Sequence, residues 1–189
     1  MPLFKRFFLV MLPVALFMGA CNNDEENVDP SDPNETITTA TLTLTSQTTP
    51  VQTVTATVEN LNTNADFGRA MLTLQANTTY TGSVSLLDKT KTPTLDVSAG
   101  VKEEANEHLF VYTFTPAAGS PASMTVTATD KDTNPAPGPY PIGLATSVKT
   151  GAAGTGKLKV VLRHQPDAKN GTPQPGSSDL DTNFDVTIR

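Results

Sequence analysis

Ala40, Leu42 and Leu44 alternate with threonines. The same period of two returns in Val54, Ala56 and Val58, in Leu72 and Leu74, and in Val84 and Leu86. Phe110, Tyr112 and Phe114 share one parity, as do Met124, Val126 and Ala128. Leu144 and Val148 follow, then Leu158, Val160 and Leu162, and last Phe184, Val186 and Ile188. Strict alternation over short runs predicts half-buried strands, eight or nine of them. An apolar face backed by a polar one predicts antiparallel sheets covered on one side. Two such sheets stacked on their apolar faces give an all-β, immunoglobulin-like antiparallel β-sandwich. The closing run reaches Ile188, so the chain's last residues are expected inside a sheet.

Three stretches interrupt this period. "DVSAGVKEEANEH", Asp96 to His108, predicts one short helix with Glu103 and Glu107 on a common face. Lys131 to Pro141 and Pro166 to Ser178 are rich in proline and glycine and read as loops. "GAAGTGK", Gly151 to Lys157, has the spacing of a phosphate-binding loop but fails its chemistry. Leu158 stands where a magnesium-binding Ser or Thr belongs, and a strand follows where a helix N-terminus must face the phosphate. A glycine-rich connection into a strand accounts for the segment.

The N-terminal end follows different rules. Lys5 and Arg6 precede an apolar run, Phe7 to Met18, and then the small residues Gly19 and Ala20. That order describes a secretory leader over residues 1–20. The run is too short for a membrane span, which needs ~20 apolar residues. The next residue, Cys21, is the only cysteine of the chain, so no internal disulfide exists. Met18-Gly19-Ala20-Cys21 resembles the bacterial lipoprotein signal, which implies lipid on Cys21 and membrane attachment through it. Buried acyl chains anchor at about 0.8 kcal/mol per methylene. Asn22 rather than aspartate follows, and the resemblance then implies the outer membrane. Asp24, Glu25 and Glu26 resemble an acidic surface-export signal, and also read as a solvated linker. Residues 21–35 hold one aliphatic residue and many charges, so a disordered tether is expected, with residues 36–189 as the folded sandwich domain. The 14 residues after Cys21 would span roughly 20 Å.

Charge excludes one class of partner. Removing Lys5 and Arg6 leaves 11 basic residues against 19 acidic ones, a net charge of −8. Without a basic stripe there is no footprint for nucleic acid. Hydrolase chemistry has no positive signal: no GxSxG occurs, and Cys21 is committed to lipid. No enzyme is expected.

The two histidines carry the candidate chemistry. His108 opens "HLFVYTFT" in parity with Phe110, and His164 closes "KLKVVLRH" in parity with Leu162. Both therefore point to the apolar face, and antiparallel strands would bring them to one end of the sandwich. Glu103, Glu104 and Glu107 precede the first and Asp167 follows the second. Imidazoles with carboxylates suit zinc or copper, so His108, His164, Glu104 and Asp167 are the candidate ligands. The opposing expectation is a pair of hydrogen-bonded histidines at the core edge. Asp179, Asp181 and Asp185 share one parity with Asn183 and read as a solvated edge rather than a calcium loop, which would need glycine punctuation.

"LQANTTYTGSVSLLD", "EEANEHLFVYTF", "KTGAAGTGKLKVVLRHQPDAKNG" and "SDLDTNFDVTI" together resemble a family of small Bacteroidota outer-membrane lipoproteins, some labelled type 1 periplasmic-binding-domain proteins. The resemblance covers most of the mature chain and includes His108 and His164. It implies a lipid-anchored envelope protein and no particular activity. A type 1 periplasmic binding fold would need alternating helices and strands, which this pattern lacks. "NLNTNADFGRA", after Glu59, departs from the family's Asp- and Gly-rich loop. The expectation is a non-enzymatic binding module, accessory to an outer-membrane transporter or another envelope protein, with its ligand at the His108/His164 end. The alternative is a structural or adhesive surface module without a small-molecule site.

Overall fold

The computed structural model describes residues 34–189. The expected leader, Cys21 and nearly all of the expected tether lie outside the described residues. Eleven strands and one helix follow in the order β1 (Thr39–Ser46), β2 (Thr53–Glu59), β3 (Asp66–Arg69), β4 (Met71–Leu74), β5 (Thr79–Asp88), β6 (Leu95–Asp96), α1 (Val97–Glu103), β7 (His108–Pro116), β8 (Met124–Ala128), β9 (Ala145–Thr150), β10 (Gly154–His164) and β11 (Ser177–Ile188). The first sheet runs β3-β2-β1-β5-β9-β8, with β6 beside the far half of β5. The second runs β4-β11-β10-β7. All pairings are antiparallel except β4 with β11.

All nine expected strands form, because their apolar parity meets a partner of the same kind in the opposite sheet. Leu42, Leu44, Val58, Tyr80 and Leu86 face Leu72, Leu158, Leu162, Phe184 and Ile188 in one continuous core. Outward positions of β1 and β2 are threonines that bond across the strands, Thr41 to Thr57 at 3.1 Å, Thr45 to Thr53 at 3.3 Å. Such pairs add roughly 0.2–1 kcal/mol each. Buried Tyr80 keeps its hydroxyl satisfied: it donates to Gln52 Oε1 (2.9 Å) and accepts from the Gln75 N–H (2.7 Å). β3 and β6 were not expected. The side chains of β3 are all exposed and β6 is two residues long, so neither carries an apolar period.

The short helix is present, and Asp96 caps it by accepting from the Ser98 N–H. It is shorter than expected: it ends at Glu103, so Glu107 lies beyond it and the two glutamates share no helical face. Val97 and Val101 plug the core from this end. The glycine-rich segment bends at Ala152 and Ala153 and enters β10 at Gly154, a connection into a strand. Asn34 and Glu35, assigned to the tether, instead touch the domain. The Ser177 hydroxyl donates to Asn34 Oδ1 at 2.5 Å. Among the described residues, no helix is long and apolar enough to cross a membrane.

Candidate functional site

His108 and His164 lie directly opposite one another where β7 pairs antiparallel with β10. Their rings stack with centroids 4.7 Å apart and planes 6° from parallel. Both are buried, at 0% and 1% exposure. Parity and strand direction together therefore place the pair where the sequence put it, at one end of the sandwich next to α1.

Asp179 joins them, against the expectation of a solvated position. Leu162 pairs with Leu180, but the next residue, Arg163, pairs with Ser178, so the register passes over Asp179. This is a β-bulge, one extra residue on β11, and bulges re-aim side chains. Asp181 and Asp185 keep the outward parity and pair with Lys159 (2.9 Å) and Lys157 (2.5 Å). Asp179 is turned inward, its side chain 0% exposed, with Oδ2 3.4 Å from His108 Nε2. Neither of its oxygens has a hydrogen-bond partner among the described residues, and nor does His108 Nε2.

The remaining candidates divide. Glu104 meets His108 through its carbonyl oxygen, 3.2 Å from Nδ1. Its own side chain is exposed, though its carboxylate, that of Glu35 and a His108 nitrogen fall within 4.8 Å of one another. Asp167 does not join either group. β10 ends at His164 and the chain turns away, leaving Asp167 exposed on the turn at a φ of 56°. Two acids that sequence reasoning left outside the ligand set are close instead: Glu107, whose Oε2 is 3.7 Å from His164 Nε2, and Asp179. The Gly- and Ser-rich entry "PGSSD" into β11 was the available signal for the bulge.

Charge at this end is concentrated. Burial opposes an imidazolium at His108, but the Asp179 carboxylate and the Glu104 carbonyl outweigh it and hold the ring's proton affinity above its ordinary value. Burial also raises Glu35; charge on His108 offsets part of this, and the carboxylates of Glu104 and Asp179 add to it. One ligand atom from each of His108, His164 and Asp179 lies within 4.8 Å of the others.

No protein-family model, curated protein or solved structure matches the chain. An open groove between Pro116, Gly156 and Val186 lies at the other end of β7 and β10, away from the histidines. Its lining is mostly apolar, with Lys157 and Asp185 already paired across it.

Proposed function

We propose that the chain is a non-enzymatic binding module, anchored to the outer membrane through lipid on Cys21 and facing the cell exterior. Its ligand, a metal ion or a small molecule, is seated at the His108/His164 end. The module serves an outer-membrane transporter or another envelope protein. The observation that carries this is the buried, stacked histidine pair with Asp179 turned inward beside it. A sandwich stabilised only by its core has no need of a carboxylate there, because burying an ion without full hydrogen bonding costs several kcal/mol. The leader and the acidic residues behind Cys21 supply the address.

The test is crosslinking with a membrane-impermeant amine reagent on intact cells, comparing wild type, Cys21→Ala and a His108→Ala/His164→Ala double variant. The wild type should be labelled on whole cells, float with outer membranes and yield a crosslinked envelope partner. Cys21→Ala should lose the membrane fraction, and the double variant should lose the partner while staying on the surface. A double variant that keeps the same partner would return this end of the domain to a structural role.

A further inference from the structure

We infer that His108, His164 and Asp179 form a mononuclear three-ligand site for a divalent transition metal of the zinc type, with the Glu104 carbonyl as the group that orients His108. This rests on the reading of the histidine end as the binding end and names the ligand class it takes.

A carbonyl oxygen only accepts, so the contact of His108 with Glu104 places a proton on Nδ1 in the neutral ring. Nε2 then presents a lone pair, and what it faces is Asp179, another acceptor, at 3.4 Å. Two acceptors face each other where both side chains are 0% exposed. A second ring proton or a metal ion between them resolves the conflict, and the third donor, on His164, is what suits the metal. Zinc bonds of about 2.0–2.1 Å at tetrahedral angles put ligand atoms about 3.3 Å apart, close to the 3.4 Å between His108 Nε2 and Asp179 Oδ2. Histidine metal ligands characteristically donate their second N–H to a carbonyl or carboxylate, as His108 does.

The bulge is the second, independent observation. Regular pairing would have left Asp179 outside with Asp181, where a lysine neutralises it. Instead the register gives up one residue, and a carboxylate with two unbonded oxygens is buried beside two imidazoles. Two imidazoles and one carboxylate suit zinc, whose sites with three protein ligands leave the fourth position to water. Binding would bring the His164 donor to the same spacing and tilt the stacked rings out of parallel.

The experiment uses the full chain extracted in detergent and stripped with EDTA. Zinc chloride is titrated by calorimetry, and cobalt(II) is added as a spectroscopic probe. The variants are Asp179→Asn, His108→Ala and, as control, Asp181→Asn. The wild type should take one zinc and, with cobalt, show the intense visible bands of a tetrahedral site. Asp179→Asn should weaken zinc at least 100-fold, and Asp181→Asn should stay within twofold of wild type. Thermal melting guards against misfolding. In EDTA, Asp179→Asn should melt at or above the wild type, because it removes a buried charge. With zinc added the order should invert. The inference is overturned if zinc binds Asp179→Asn as tightly as wild type. It is equally overturned if the wild type takes no zinc; protons on both His108 nitrogens by nitrogen NMR, with Asp179→Asn melting lower in EDTA, would then show that a proton fills the place assigned to the metal. Loss of the crosslinked partner in the double histidine variant without any zinc binding would overturn the metal alone and leave the binding end standing.

Discussion

At the scale of single residues, the histidine end depends on a glycine as much as on its charged groups. Gly176 sits at a φ of 73°, and a Cβ built there would run into the carbonyl of His164. Arg163 fixes the same stretch by donating to the carbonyls of Pro175 (3.0 Å) and Gly176, and to Ser178 Oγ at 2.5 Å. Gln165 adds bonds to the carbonyls of Thr172 (2.8 Å) and Pro175 (3.0 Å). Gly176→Ala therefore has two costs, left-handed backbone for a residue with a Cβ and overlap with backbone that is held from both sides. We expect a loss of about 2 kcal/mol or more. Gly119 separates the two costs, since its φ is 74° but an added Cβ meets nothing within 4 Å. Gly119→Ala should lose only about 1 kcal/mol. Urea midpoints at constant slope measure both. Equal losses would show that the carbonyl at His164 gives way and that the approach of Gly176 sets nothing.

At the scale of elements, strands with an apolar period were legible, and so was the condition that antiparallel strands would bring both histidines to one end; that β7 and β10 are direct partners was not. What was not legible is what breaks the period. Asp179 has the parity of Asp181 and Asp185, and only the one-residue slip opposite Leu162 and Arg163 turns it inward. β3 forms on backbone pairing with β2 and on the Arg69–Glu59 ion pair at 2.7 Å, neither of which leaves an apolar signature. The loop from Lys131 to Pro141 is another such case. Its composition announced a loop, but not that Asp132 would organise it. Asp132 accepts from the Tyr140 N–H (2.7 Å) and Asn134 Nδ2 (2.8 Å), and pairs with Lys169 at 2.9 Å, both side chains being within 1% of full burial. Lys169 also donates to the Ala105 carbonyl at 2.8 Å, which ties both loops to the segment before His108. Burial works against the Asp132 carboxylate, yet the Lys169 ammonium and the donors from Asn134 and Tyr140 hold its proton affinity below the ordinary value of 3.8. A depressed carboxylate contributes stability above its unfolded value and loses it as pH falls through the folded one. The contribution is thus intact above about pH 4 and fades only in stronger acid. Asp132→Ala should cost about 3 kcal/mol at neutral pH, because it strands a buried ammonium. Asp132→Ala/Lys169→Met should recover much of that, and the acid dependence should flatten in both. Denaturant titrations at pH 7 and pH 3 decide; a double variant no better than the single one would mean that the hydrogen bonds within the loop, not the ion pair, hold it.

At the scale of the whole molecule, the second sheet depends on β11. It is an interior strand between β4 and β10, and it pairs with β4 across more than half of the described chain, Val186 with Leu72 and Ile188 with Leu74. Phe184, Val186 and Ile188 are each 2% exposed and fill the core from this sheet. Burying one such side chain contributes about 1.5–3 kcal/mol, so the three together match much of the roughly 5–15 kcal/mol by which a domain is stable. Their loss would also leave β4 without a partner in its own sheet and open Leu72 and Leu74 to water. Two strands held by residues this distant in sequence make late, non-local pairing the step that completes the fold, and folding in milliseconds to seconds is expected. Deletion of residues 184–189 should therefore abolish the cooperative thermal transition followed by circular dichroism. Deletion of Arg189 alone removes two backbone bonds, its N–H to the Leu74 carbonyl and its carbonyl to the Ala76 N–H, both 2.9 Å. That change should lower the midpoint by only a few degrees. The contrast isolates the core contribution of β11 from its terminal hydrogen bonds. A cooperative melt in the longer deletion would mean that the first sheet and α1 form a stable unit without the second. The histidine site, built on β7, β10 and β11, would then be attached to the sandwich rather than founded on it.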